Sequence, residues 1–365
     1  MEEKKKAVTR YVGIDLGKRT YEMSIVGKGG KVSASNGKTF PAARQALYKK
    51  LQPTDKVALE SGNLAFTMAK EIEAAVGCQV YVLNPSNLAL IYGSMKKTDK
   101  EDSLKLAHIL EDFNEERLPV VPVPSDKEMR RRKMLSGYRR AQQERTRMIN
   151  RLHALFVSQG ITTKVRADLA EPESRREAIK ELRDIEREEA EYLVLSLDLC
   201  ERRIDALDKQ MADEAKGDEV IERLQSVPGV GPTVSFAFVS HVAANRFENA
   251  SQVSNYLGLV PRVYMSGETV KYGSITKRGN GYLRALLVQA SWSLIRCRKG
   301  GKLKELYQYM TIEKSKSKKK AIVAIARRLA ELLYLLMRDE VRYINMPFIR
   351  EKEESETDAE LKLCG

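Results

Sequence analysis

Four carboxylates in the first third of the chain, Asp15, Glu60, Asp99 and Asp102, are the residues whose types and spacing could do chemistry together. Asp15 closes the alternating apolar run YVGID and Glu60 closes the run KVALE, so each should end a strand. Asp99 and Asp102 stand three apart in the first turns of a helix and therefore share a face. Hard oxygen ligands of this kind hold a divalent cation such as Mg²⁺, and a cation among carboxylates stabilises charge on a transferring phosphate. Singly, each acid reads as a loop carboxylate or as favourable charge at a helix N-terminus. The order strand, strand, capped helix is what joins them into a metal-binding set, with Asp55 and Glu101 competing from less suitable positions.

The elements that must position these acids are legible over residues 8–110. Strands are predicted near 10–15, 20–26, 31–34, 56–60 and 79–83, and helices near 41–51, 64–76 and 98–113, giving a compact mixed α/β domain. Gly17 supplies a turn after Asp15, Gly77 a C-terminal helix stop, and Thr98 with Glu101 a capping box. The prolines of LPVVPVPSD (118–126) then mark a linker. From Lys127 to about Gly217 charged residues alternate with regular Leu, Ile and Met, which predicts two long helices, 126–158 and 173–215. Narrow apolar stripes on charged helices suggest a coiled-coil arm, a device that commonly builds a dimer. Beyond it, 219–345 reads as mainly helical, with helices at 279–298 and 318–338, and the acidic tail EKEESETDAEL is expected to be a disordered, solubilising segment.

The chain has 365 residues, enough for two or three domains, and its 64 Lys+Arg against 50 Asp+Glu give a net charge of +14. That balance favours a polyanionic partner, most economically nucleic acid. Four cysteines without a CxxC pair argue against a zinc site or disulfide framework and suit a reducing cytosol. The N-terminus MEEKKKAVTR has no apolar signal core and no run approaches the roughly 18 apolar residues of a membrane span, so an intracellular protein with no membrane partner is expected.

Two further segments carry chemistry. SVPGVGPTVS (226–235) has the turn of a helix-hairpin-helix, in which Gly229 and Gly231 would let backbone N–H groups approach a DNA phosphate; the plainer reading is a tight interhelical turn. The stretch 255–291 gathers Ser266, Gly267, Gly273, Ser274, Thr276, Lys277, Arg278 and Gly279 into what reads as a short, basic, flexible loop before a helix. A hydroxyl on a Gly-flanked turn with cations nearby is what serine attack on DNA needs, although composition alone favours a phosphate-binding loop with no nucleophile. The runs Arg130, Arg131, Arg132, Lys133 and Lys314–Lys320 suit a nucleic-acid backbone, as they also suit a solvated face.

YVGIDLGKRTYEMSIV, ALESGN (58–63), NPSNLALIYGSMKKTDKEDSLKLAHIL (84–110), SVPGVGPTVS and YLGLVPRVYMSGETVKYGSITKRGNGYLRALL together resemble the transposases of the IS110/IS1111 insertion-sequence families, in motif order and across nearly the whole chain. The resemblance implies a RuvC-like (RNase H-like) DEDD domain at 1–117, a linker and coiled-coil arm at 118–218, a transposase domain with helix-hairpin-helix and serine loop at 219–345, and a charged tail at 346–365. It also implies a DNA recombinase working on donor and target DNA in the prokaryotic cytoplasm at the nucleoid, guided by a noncoding bridge RNA. The family's DEDD acids fall on Asp15, Glu60, Asp99 and Asp102, with Mg²⁺ as their ion, and its nucleophilic serine on Ser266.

Where the family loop more often reads Ser-Ser-Gly-Gly, this chain has Met265-Ser266-Gly267-Glu268, which leaves one serine in register and adds a negative charge. Ser274 and Ser291 are the nearest rivals. The family places acids and serine on different subunits, which implies a homodimer or tetramer. On this reading Ser266 attacks phosphorus, a covalent phosphoserine conserves the bond energy for religation, and Lys277 and Arg278 meet phosphate charge. The competing enzyme is a metal-dependent Holliday-junction-type endonuclease using water; a non-catalytic nucleic-acid-binding protein is the third class, and the intact acidic quartet argues against it.

Overall fold

The computed structural model describes residues 8, 10–62, 64–85, 88, 98–266 and 269–344, which divide into two compact units, 1–125 and 126–365. The expected tail and the loop residues Gly267 and Glu268 lie outside the described residues. No helix among the described residues is long and apolar enough to cross a membrane.

In the first unit, strands β1 (Arg10–Leu16), β2 (Thr20–Gly27), β3 (Val32–Lys38), β4 (Asp55–Glu60) and β5 (Gln79–Leu83) form one sheet in the order β3-β2-β1-β4-β5. The pairs β1–β2 and β2–β3 are antiparallel, whereas β1–β4 and β4–β5 are parallel. All five predicted strands are present, the third running four residues further than expected because its exposed, polar sequence VSASNGK carries little apolar alternation.

The sheet is covered on both faces, and the alternation of β1 decides which residue meets which layer. Val12 and Ile14 point into a core shared with Leu47, Met68 and Ile72 from helices α1 (Pro41–Tyr48) and α2 (Ala65–Val76). Gly13 faces helix α3 (Asp99–Asp112), whose Leu106 and Leu110 pack with Ala58 and Leu83. Gly77 ends α2 at φ 74°, the left-handed value expected of a glycine stop.

The approach of α3 to β1 is unusually close. A Cβ at Gly13 would stand 1.9 Å from the carbonyl oxygen of Ser103 and 2.6 Å from the backbone nitrogen of Ala107. Beside it, the buried hydroxyls of Ser24 and Ser103 hydrogen-bond at 2.8 Å. Small residues on both sides thus let the helix lie almost on the backbone of the sheet.

The second unit opens with α4 (Asp126–Ser158), which at 33 residues is about 50 Å long. It pairs with α5 (Asp184–Ala215) within the same chain, and the pairing is antiparallel: Arg131 meets Glu214, Arg145 meets Glu201 and Gln159 meets Glu186. The second long helix begins at 184 rather than at the expected 173. Between the two helices the chain turns through Arg166–Ala170 and Pro172–Ala178, and buries Leu169, Ile179 and Leu182 against Leu152, Phe156 and Leu193. Capping the end of the pair in this way covers apolar surface that one uninterrupted helix would leave in water.

The other end of the pair enters a large helical core. It is built with α6 (Glu219–Gln225), α7 (Pro232–His241), α8 (Ala250–Tyr256), α9 (Gly281–Arg296) and α10 (Lys318–Arg338). One expectation changes here: residues 261–275 form an antiparallel hairpin, β6 (Pro261–Ser266) and β7 (Thr269–Ile275), in place of a flexible loop. Its strands were hard to recognise because most of their residues, polar and apolar alike, are exposed and neither face shows a buried alternation.

Gly13→Ala tests the close helix contact. The added methyl meets backbone, which cannot rotate away, so stability falls by about 1–3 kcal/mol, read as a lower urea midpoint at unchanged m-value. An unchanged midpoint removes the packing argument.

Candidate active site

Asp15 is the penultimate residue of β1 and Glu60 the last of β4. The two strands run parallel with Ile14 opposite Leu59, so these acids extend the pairing by one step at the same end of the sheet. Both follow residues, Gly13 and Ala58, that face α3. Asp99 and Asp102 start α3, where Thr98 caps the helix by accepting a hydrogen bond from the Glu101 N–H. The close Gly13–Ser103 contact delivers this first turn to the strand ends.

The other three acids act on Asp15. Burial first, and then the negative charges of Asp99, Glu60 and Asp102, together push the Asp15 carboxyl up to about 6. Asp102 is also held by Lys105 at 2.9 Å. Neither Asp55 nor Glu101 is among the charges acting on Asp15: Asp55 is buried in an ion pair with Arg10, and Glu101 gives its N–H to the Thr98 cap.

An all-oxygen, multiply negative donor set fits a hard divalent cation. The fit lies in the chemistry, since among the described residues no three His, Cys, Asp or Glu side chains are already gathered tightly enough to hold a metal ion. Like charges held together without a counter-ion repel, and that repulsion adds to burial in raising the Asp15 pKa.

The sequence-predicted residues of the second unit are arranged as follows. Ser266 ends β6, exposed, paired with Thr269 across the hairpin tip. Its rival Ser291 is fully buried in α9 and donates its hydroxyl to the Leu287 carbonyl, while Ser274 is exposed on β7. The Thr276–Gly279 segment is clamped against the end of α8. Thr276 N–H donates to the Val260 carbonyl, Lys277 takes a left-handed φ of 56°, and the Arg278 carbonyl accepts from Arg284. Gly258 and Gly279 make the clamp possible, since a Cβ on either would strike backbone at 2.3 Å or 2.2 Å. Lys277 and Arg278 are left exposed on this fixed loop.

In the 226–231 turn the two glycines do different things. Gly229, at φ 84°, lies against α9, where a Cβ would come within 2.6 Å of the Leu294 nitrogen. Gly231 caps α7 and has open space before it. In the basic run, Arg130 and Lys133 are exposed, whereas Arg131 is buried against Asp218 and over the Phe236 ring, and Arg132 donates to the Ser240 carbonyl. Sequence reasoning missed Gly13, Ser24 and Ser103, whose signal was only a glycine and a serine in apolar strands and a serine one turn into a helix.

Residues 12–160 match the family model of the DEDD transposase of IS110 type, and residues 221–308 match that of the transposase IS116/IS110/IS902 family. A probable family 20 transposase of Pseudomonas aeruginosa is 26% identical over 302 residues, 78% of this chain and 84% of the relative. The transposase for insertion sequence element IS1328 of Yersinia enterocolitica is 27% identical over 292 residues, 77% of this chain and 82% of the relative. The transposase for insertion sequence element IS1111A of Coxiella burnetii is 30% identical over 137 residues, 37% and 38% of the two chains.

A mixed sheet of order β3-β2-β1-β4-β5 with acids at its parallel strand ends and a DEDD match is an RNase H-like domain, a class whose acids serve a divalent metal ion. The chain belongs to the IS110 family of transposases, which are DNA-acting enzymes.

The raised Asp15 pKa fixes a sign. A carboxyl raised in the folded state stabilises the fold while protonated and loses that contribution as pH rises through about 6. Metal-free wild type therefore loses stability relative to Asp15→Asn between about pH 4 and pH 6 and levels off above that, followed by thermal melts. A divalent cation at roughly 100 times its Kd adds about 2.7 kcal/mol to wild type at the higher pH, and far less to Asp15→Asn. Equal pH profiles for the two proteins contradict the cluster.

Proposed function

We propose that this transposase cuts, exchanges and rejoins the DNA of an insertion sequence through a covalent phosphoserine at Ser266, with Mg²⁺ held by Asp15, Glu60, Asp99 and Asp102. The observation that carries the reading is the electrostatic cluster itself: three acids from β4 and α3 act on the carboxyl of Asp15. When bound, the cation supplies positive charge to the phosphate oxygens as the transition state forms.

Exposure at the end of β6 supports Ser266 as the attacking residue. Its Oγ–H loses the proton, an Oγ–P bond forms, and the P–O bond to the neighbouring nucleotide breaks, its oxygen leaving as a hydroxyl. Attack by a hydroxyl of the exchanged strand reverses these changes and frees the serine, so no nucleotide cofactor is consumed. Lys277 and Arg278, fixed by their clamped loop, meet the phosphate charge. The open N-terminus of α7 at Gly231, read as part of a helix-hairpin-helix, binds DNA backbone, and Arg130 with Lys133 adds non-specific contact.

The acids belong to one compact unit and Ser266 to the other. We read 1–117 as the RuvC-like domain, 118–218 as linker and coiled-coil arm, and 219–345 as the transposase domain. The reading is of an oligomer in which acids and serine of different subunits cooperate, guided at the nucleoid by a bridge RNA that carries sequence choice. The arm supports this assembly. Ile185, Tyr192, Leu195 and Leu199 of α5 are all more than 60% exposed, at spacings of seven, three and four. That is the seam of a coiled coil whose partner, a second copy, would bury them.

The chemistry is tested with DNA bearing donor and target sites, the cognate RNA and Mg²⁺. Wild type and Ser274→Ala form a protein–DNA adduct that survives denaturation; Ser266→Ala forms none, and strand cleavage falls on the order of 10⁴-fold. Cleavage by Ser266→Ala at wild-type rate makes water the nucleophile. Leu195→Glu with Leu199→Glu lowers the sedimentation mass from oligomer to monomer; an unchanged mass removes the seam.

A further inference from the structure

At the end of β1 the chain presents opposite chemistry on its two sides. Asp15 belongs to the acidic cluster, whereas Leu16, the next residue, packs toward the other face and lines a cavity of about 680 Å³. Lys18, Arg19 and Lys38 line the same cavity, all exposed, and among the described residues none of them has an ion-pair partner. Phe40, a residue 56% exposed, completes the wall.

This rim is built rather than incidental. The Thr39 N–H donates to the Arg19 carbonyl at 3.0 Å and the Thr39 hydroxyl to the Lys18 carbonyl at 3.1 Å, which ties the β1–β2 turn to the end of β3. Phe40 precedes Pro41, which confines it to extended backbone, and its carbonyl accepts from Ala43 N–H. Below it, Arg44 is committed to Glu71 and to the Thr39 carbonyl, so this cation braces the wall. Three uncommitted cations and one aromatic ring, held on a rigid edge, match a single nucleic-acid strand: phosphates for the cations, an unstacked base for the ring.

We propose that this pocket seats an unpaired nucleotide of the DNA strand whose phosphate lies at the acidic cluster. It names the form of the substrate for the proposed strand transfer and rests on that reading for the choice of DNA. A duplex does not fill it, because paired bases are stacked on one another and offer no free face to Phe40.

The test uses the full chain in EDTA with fluorescent dT10, U10 and a ten-base-pair duplex. Phe40→Ala weakens dT10 binding about ten-fold and Phe40→Trp restores it, with duplex binding unchanged. Replacing Lys18, Arg19 and Lys38 with Gln lowers the salt slope of dT10 binding by about two. In dT10 carrying one 5-iodouracil, photocrosslinking labels the peptide Thr39–Arg44. Wild-type dT10 affinity in both variants, equal losses on duplex, or losses confined to U10 each overturn the proposal. The readout is binding in EDTA, in which no strand is cut, so failure of the phosphoserine reading and failure of the pocket are separate results.

Discussion

The distance between β1 and α3 is the constraint on which the acidic cluster depends. It is set by what Gly13 lacks: any side chain there would collide with the Ser103 and Ala107 backbone. Beside it, the buried hydroxyl pair Ser24–Ser103 ties strand β2 to the helix with a hydrogen bond of 2.8 Å. The consequence is electrostatic. A helix lying this close brings Asp99 and Asp102 to the strand ends carrying Asp15 and Glu60, and accumulates negative charge of a kind that suits a divalent cation.

The second unit solves a different problem by the same means. Gly229, Gly258 and Gly279 each adopt positive φ and each lie where a Cβ would strike backbone. They press the 226–231 turn onto α9 and the Thr276–Gly279 loop onto α8, so Lys277 and Arg278 are presented from fixed backbone. The strands of the hairpin carrying Ser266 are largely exposed, which suits the proposed nucleophile.

Much of this was legible in the sequence because local rules and tertiary structure agree there. Asp15 and Glu60 follow alternating strands, Thr98 caps its helix, Gly77 stops α2, and the long helices 126–158 and 318–338 have the predicted limits. What was not legible depends on partners far away in the chain. The meaning of Gly13 comes from Ser103, ninety residues on. The late start of α5 at Asp184 comes from an apolar cap closing over Leu152 and Phe156. The hairpin 261–275 lacks a buried face and so lacks a periodic signal. Residue type likewise could not separate Arg131, spent inside the fold on Asp218, from its exposed neighbours Arg130 and Lys133.

The central claim is that the four acids form one cation site in which protonation of Asp15 competes with the metal. Calorimetric titration of Mg²⁺ near pH 6, in two buffers of different ionisation enthalpy, measures the protons released on binding. The account predicts release of a substantial fraction of one proton, shrinking as pH rises above the Asp15 value and absent in Asp15→Asn. Binding with no proton release at that pH, or equal release from Asp15→Asn, would contradict it.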